Sequence, residues 1–210
     1  MRKGLMGGFT GRLGDKVGYI INGIQYVRSA PKKRTGPVST EQMIQREKFS
    51  NMIKFMSPVM PFMNEVHKNK SRGKYQSNKL FSANHREAVM GEYPHFMIDY
   101  RRFRLTAGTL SGPRKMHLSF DQDSFLNFHW KDNSHDLTGA HPLDRLWLAF
   151  YDGDRKCWEI QTNTALREDI FVSIDVSNHR GNRLQVYAGF ISVDKRKVSD
   201  SQYLGMIKIL

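Results

Sequence analysis

The stretch Arg145-Leu-Trp-Leu-Ala-Phe-Tyr151-Asp-Gly153-Asp-Arg-Lys-Cys157-Trp-Glu-Ile160 decides the fold of the second half of the chain. Two β-rich runs, Leu146–Tyr151 and Cys157–Ile160, flank Asp152-Gly153. Aspartate followed by glycine supplies the positive φ angles that a tight hairpin turn needs. The same kind of segment recurs on either side. Phe171-Val-Ser-Ile-Asp-Val176 and Leu184-Gln-Val-Tyr-Ala-Gly-Phe190 alternate apolar and polar residues with a period of two. Strands are predicted at Lys115–Phe120, Phe125–Trp130, Arg145–Tyr151, Cys157–Thr162, Asp169–Ser177, Arg183–Asp194 and Val198–Leu210. Short strands separated by regular turn signals predict an antiparallel β-sandwich.

Charge separates the two halves of the chain. Residues 1–105 carry 20 Lys+Arg against 7 Asp+Glu, whereas residues 106–210 carry 13 of each. The whole net charge of +13 therefore sits in the first half, as do nine of the 11 methionines. Thr106-Ala-Gly-Thr-Leu-Ser-Gly-Pro113 has the composition of a turn or linker. Two domains are expected: a basic one at 1–105 with a glycine-rich arm, a hairpin and helices, and a sandwich at 106–210. The fold class expected is α+β.

The N-terminal segment holds six glycines, Gly4, Gly7, Gly8, Gly11, Gly14 and Gly18. A phosphate-binding loop is rejected on spacing, because neither Gly-x-x-x-x-Gly-Lys-[Ser/Thr] nor Gly-x-Gly-x-x-Gly is present. A flexible or partner-docked arm is expected instead. Val17–Ile21 and Ile24–Arg28 flank Asn22-Gly23 and predict a β-hairpin. A lone hairpin is marginal without a docking surface, so Tyr19, Ile21, Tyr26 and Val27 are the candidate partner-docking residues. Ser39-Thr-Glu-Gln42 fits a capping box. The helix after it places Phe49, Met52, Ile53, Met56, Met60 and Met63 on one inward stripe, with Pro58 and Pro61 to kink or end it. A second helix is predicted over Tyr75–Met90, and a strand within Tyr93–Leu105.

Three basic clusters punctuate the first half. Lys32, Lys33 and Arg34 lie in a proline-bounded connector. Lys70, Arg72, Lys74 and Tyr75 belong to the basic run His67–Lys79, and Arg101, Arg102 and Arg104 precede the expected boundary. Basic residues interleaved with an aromatic suit phosphate contact and base stacking on single-stranded nucleic acid. Tyr75, Tyr100 and Phe103 are the aromatics that fit this pattern, which is sparse, and no recognised nucleic-acid-binding motif is present.

Two resemblances rest on quoted residues. Phe125-Leu-Asn-Phe-His-Trp130-Lys-Asp looks like an early strand carrying a core tryptophan. Gln185-Val-Tyr187-Ala-Gly-Phe190 and Val198-Ser-Asp-Ser-Gln-Tyr-Leu-Gly205 look like the last two strands. On these the C-terminal half resembles a fibronectin type III or immunoglobulin-like sandwich. The whole chain is also similar to a large Bacteroidetes family known only as a domain of unknown function. The matching stretches are Gly11–Gly18, Arg28–Pro31, Gln45–Phe49, Lys54–Pro58, Tyr93–Tyr100, Ile191–Asp194 and Ser201–Gly205. The run His67–Lys79 is more basic than that family would suggest. The resemblance implies no established activity and no catalytic residues.

Little in the chain points to chemistry. Asp132, His135, Asp136, His141 and Asp144 could together hold a divalent ion. They lie in an irregular inter-strand loop that nothing pre-organises, so no metal is expected. Cys157, the one cysteine, reads as a small buried strand residue, and Glu168-Asp169 are strand neighbours facing opposite sides. No hydrolase, zinc-protease or kinase motif is present. The expectation is a non-catalytic structural or protein-interaction module without cofactor or small-molecule substrate. It would bind an unknown protein partner or itself, with sequence-nonspecific nucleic-acid binding by the basic half as the alternative. No apolar run approaches the ~20 residues that span a bilayer and no secretory leader is legible, so a cytoplasmic protein, or one in a particle assembled there, is expected.

Overall fold

The computed structural model describes residues 9–21, 23–32, 36–67, 76–120, 124–135 and 139–209. Contacts divide the chain into two compact units, Met1–Thr40 and Glu41–Leu210.

The first unit is a three-stranded antiparallel sheet of β1 (Gly11–Leu13), β2 (Lys16–Ile21) and β3 (Ile24–Ser29), in the order β1-β2-β3. Ile21 pairs with Ile24, which leaves the two-residue connection that the sequence predicts. Gly23 sits there at φ +78°, and Asn22 lies outside the described residues. Gly4, Gly7 and Gly8 of the expected arm also lie outside them. Gly11 does not belong to a loose arm, because it starts β1 and pairs with Gly18.

In the second unit α1 (Thr40–Met56) begins one residue after Ser39. It gives way to a 3-10 turn (Ser57–Val59) and then to α2 (Met60–Val66). Pro58 and Pro61 are the second residues of these two elements, within the first turn, where a missing amide costs no helical bond. The buried stripe is Met52, Phe55, Met56, Val59, Phe62, Met63 and Val66. This corrects the expected stripe at two positions. Phe49 and Ile53 are exposed, and Phe49 makes an edge contact with Phe81 at 5.0 Å.

Helix α3 spans Gln76–Glu87 and stops before the expected Met90. Val89 and Met90 instead enter β4 (Val89–Glu92), which pairs with β5 (His95–Ile98) across the turn at Tyr93-Pro94. Proline there favours a turn, and pairing with Met97 and Ile98 outweighs the helical tendency of the segment.

Seven strands follow: β6 (Arg114–Phe120), β7 (Phe125–Lys131), β8 (Arg145–Asp152), β9 (Cys157–Leu166), β10 (Phe171–Asp175), β11 (Arg183–Ile191) and β12 (Gln202–Lys208). They form two antiparallel sheets, β10-β7-β6 and β12-β11-β8-β9. All seven expected strands are present, with β10, β11 and β12 shorter than predicted. Glu168 and Asp169, expected at a strand start, lie in a 3-10 turn (Arg167–Asp169) before β10. The chain is thus mostly β, with helices gathered in one layer.

Strand β8 joins the layers. Its Leu146, Leu148 and Phe150 meet Leu126, Phe128 and Trp130 of β7 in one apolar cluster. Trp147, Ala149 and Tyr151 point to the opposite face, into a second cluster with Met52, Phe55, Met56, Phe62 and Met63. Successive strand residues face opposite sides, so a strand covered on both faces must be apolar throughout. The cross-layer bond from Trp158 Nε1 to the Phe55 carbonyl, 3.0 Å, ties helix to sheet.

The structure does not divide at 105/106. Thr106–Pro113 runs alongside Val198–Ser201: Thr106 Oγ1 donates to the Ser199 carbonyl (2.8 Å), Gly108 N to Asp200 Oδ1 (2.9 Å) and Leu110 N to the Val198 carbonyl (3.2 Å). Its glycine and serine are those of a strap laid closely on another backbone. The helices and the sandwich share one core, and the contact boundary falls at Thr40.

Candidate interaction surfaces

In the first unit, paired residues of antiparallel strands share a face and neighbours alternate. Tyr19, Tyr26, Ile21 and Ile24 therefore lie on one face. The rings of Tyr19 and Tyr26 stack with centroids 5.6 Å apart, and the Arg28 guanidinium stands 5.8 Å from the Tyr19 ring centre. Val27 lies on the other face with Ile20 and Leu13, so the four candidate docking residues do not form one patch. Tyr19 is half-buried. Ile21, Tyr26 and Val27 are exposed at 52%, 42% and 52%, and Leu13, Ile20 and Ile24 at 58–59%. These last three were missed by the sequence reading, although the apolar runs on both sides of Asn22-Gly23 contain two of them.

Of the basic candidates, Lys32 is exposed in the first unit. Lys33, Arg34, Lys70, Arg72, Lys74 and Tyr75 lie outside the described residues. Arg101, Arg102 and Arg104 are brought together in the second unit. With Arg86 of α3 they line a cleft of about 730 Å3, joined by Glu87, Phe103, Asp200 and Ser201. Arg86 was not foreseen, because only the fold brings the end of α3 beside the segment after β5. Asp200 adds a carboxylate to the lining, and two further acidic residues pair with the arginines. Glu87 receives Arg86 at 2.8 Å and Arg104 at 3.5 Å, and Asp99 lies 3.4 Å from Arg102. The Arg86 hydrogen bond holds the Glu87 carboxyl below the usual range. Phe103 is buried and Tyr100 half-buried, so neither is a stacking platform.

The loop between β7 and β8 is organised by internal bonds. Asp132 accepts from the Ser134 amide (2.8 Å) and hydroxyl (3.1 Å), which holds its carboxyl low. Asp144 accepts from the His141 amide (2.8 Å) and from Arg167. His135 is exposed, and His141 Nδ1 accepts from the Leu143 amide. Asp136 lies outside the described residues. Among the described residues no group of three His, Cys, Asp or Glu side chains could hold a metal ion.

The organising group of this region is Arg167, fully buried between the strands. It donates to Asp144 Oδ2 (3.1 and 3.2 Å), to Asn133 Oδ1 and to the Ser111 carbonyl (2.9 Å), with Phe190 4.0 Å below its guanidinium. Its own carbonyl accepts Trp130 Nε1 at 2.7 Å.

A second polar group closes the β8–β9 hairpin. Asp152, fully buried, accepts from Asn182 Nδ2 (2.8 Å) and from the amides of Asp154 (3.0 Å) and Arg155 (2.9 Å). The His179 imidazole bridges Asp152 Oδ2 (3.1 Å) and Glu159 Oε2 (2.9 Å). Burial alone would raise the Asp152 carboxyl, but the hydrogen bonds from the Arg155 amide, His179, Asn182 and the Asp154 amide outweigh it and hold it low. Cys157, expected to be buried, is exposed, because it is the first residue of β9 beside the hairpin turn. Asp169 accepts from the Leu166 amide at 2.7 Å, a capping role.

These features define a class: a mostly β protein with a helical layer on one sheet and a separate small sheet rich in exposed apolar side chains. The chain belongs to the Family of unknown function (DUF6266), whose model matches residues 8–205. No curated protein matches it. Among solved structures it is similar to the fn3 domain of human collagen alpha-1(XX) chain. That similarity has 12% identity over 50% of this chain and 89% of that one, with a TM-score of 0.36. No described helix is long and apolar enough to cross a membrane.

Proposed function

We propose that the protein is a non-catalytic interaction module that docks a partner protein through the small sheet of its first unit. The observation that carries this is the exposure, between 42% and 59%, of Leu13, Ile20, Ile21, Ile24, Tyr26 and Val27 on a three-stranded sheet. A sheet this small buries little apolar surface and gains stability when another surface covers it. The second unit is a compact body of its own. Its sheets, β6-β7-β10 and β9-β8-β11-β12, support an immunoglobulin or fibronectin III-like reading of the sandwich. The test is quantitative co-purification, from cells that make the protein, of the wild type and an Ile20→Ser, Ile21→Ser, Ile24→Ser variant. A partner in fixed proportion to the wild type and lost from the folded variant is expected. Equal recovery would overturn the reading.

A second reading has one observation in its favour: Arg86, Arg101, Arg102 and Arg104 converge on one cleft. Such a cleft suits the phosphates of a nucleic acid without reading its bases. Anisotropy of labelled DNA and RNA across a salt series tests it, and binding that does not weaken with salt would remove it.

A further inference from the structure

We infer that the free edge of β3 accepts an extended segment of an acidic partner as a fourth strand; the inference rests on the docking reading above and names the partner's chemistry. Among the described residues strand β3 ends the order β1-β2-β3, and all six of its residues are exposed. The Ala30 amide donates to the Asp15 carbonyl at 2.6 Å, which fixes the phase of the ladder. Bonded and non-bonded pairs alternate in antiparallel strands, so Arg28, Tyr26 and Ile24 bond to β2. Gln25, Val27 and Ser29 then turn their N–H and C=O groups outward. That edge carries no proline and no bulge, the devices that usually blunt such an edge. It is a template for strand addition, in which main-chain bonds give affinity and alternate side chains give specificity.

Charge selects the occupant. Residues 1–40 hold eight basic side chains against a single carboxylate, Asp15. Arg28 lies on the edge strand itself, Lys16 pairs across from Ser29, and Lys32 is exposed just beyond. A second copy would bring like charges together at this end, which costs affinity. An added strand with carboxylates on the face of Arg28 and apolar residues on the face of Val27 suits this edge.

The test uses the full chain and two acetylated, amidated peptides of β3's length, one alternating valine with glutamate and one alternating valine with lysine. Peptide anisotropy and amide NMR shifts are the readouts. The glutamate peptide is expected to bind about tenfold tighter than the lysine peptide, to weaken with salt and to shift the amides of Gln25, Val27 and Ser29. Val27→Pro removes an outward amide and should abolish binding. Arg28→Glu leaves the backbone unchanged and should reverse the preference between the peptides. Equal affinity for both peptides, abolished by Val27→Pro, would overturn the acidic partner while leaving the docking sheet intact. Self-association that Val27→Pro dissolves, with neither peptide bound, would identify a second copy and overturn the inference in the same way. Binding of neither peptide by a monomer would overturn strand addition itself, and the co-purification of the Ile20, Ile21 and Ile24 variant would still decide docking.

Discussion

The indole of Trp147 occupies the space that a side chain on Gly189 would need: a Cβ there would lie 2.6 Å from Cζ2 of the ring and 2.8 Å from Ser199 Oγ. The two residues are direct partners across β8 and β11, and Trp147 is held from the other side by Phe62 at 5.2 Å. Gly189→Ala must therefore move a fully buried ring. Overpacking of this kind costs about 1–3 kcal/mol, expected as a lower urea midpoint at unchanged slope. An unaltered midpoint would show that the ring has room to move.

Replacing Arg167 with methionine should be among the costliest single changes. It leaves the Asp144 carboxylate buried without its cation, a loss of about 3–5 kcal/mol. The double variant Arg167→Met, Asp144→Leu removes both charges and should recover a large part of that loss in urea unfolding. A double variant no more stable than the single one would place the value of Arg167 in its bonds to Asn133 and Ser111.

Acid should loosen the β8–β9 hairpin through Asp152. A carboxyl held low in the folded state adds stability that is fully present above its unfolded value, near pH 4, and is lost as pH falls through the folded value. Glu159, also held low although burial opposes it, acts in the same direction through its bond from His179. The difference in thermal midpoint between wild type and Asp152→Asn should be largest at neutral pH and shrink below about pH 4. A difference constant from pH 7 to pH 3 would contradict this.

The arginine cleft makes a graded prediction. If nucleic-acid phosphates sit there, Arg101→Ala and Arg104→Ala should each lower the slope of log affinity against log salt by about 1, at similar cost for all sequences. Unchanged slopes would exclude the cleft from phosphate contact.

A chain beginning at Gly36 should unfold in one cooperative transition close to that of the full chain. The described residues that form the buried apolar cluster on the helical side run from Met52 to Val198, all within the second unit. A broad or early transition would show that the small sheet supports the rest.

The strands were the most legible part of this sequence. The two hairpins and the alternation in β10 and β11 rest on local signals, and both hairpins stand where expected. Asp152 nevertheless pairs with Cys157 inside the ladder, and the positive φ of that turn falls at Lys156 rather than Gly153. The misread elements depend on distant partners. Thr106–Pro113 has linker chemistry but is strapped to residues some ninety positions later. Val89 and Met90 leave the helix for a pairing with β5, and Phe49 turns from the core towards α3. Leu146–Tyr151 did hold a non-local signal in its unbroken apolar run, which reports cover on both faces. Of the docking surface the hairpin was visible, but not the division of its apolar residues between two faces. Of the basic surface Arg101, Arg102 and Arg104 were visible and Arg86 was not.

The burial of β8 on both sides also sets the order in which the second unit can come apart. Its peptide hydrogens meet deuterium only after either the helices or the outer sheet has lifted away, and each of those layers rests on it. Exchange at Leu146–Tyr151 should thus report the opening of the whole unit, with its rate following global stability, while β4, β5 and the surface of α1 trade their hydrogens far sooner.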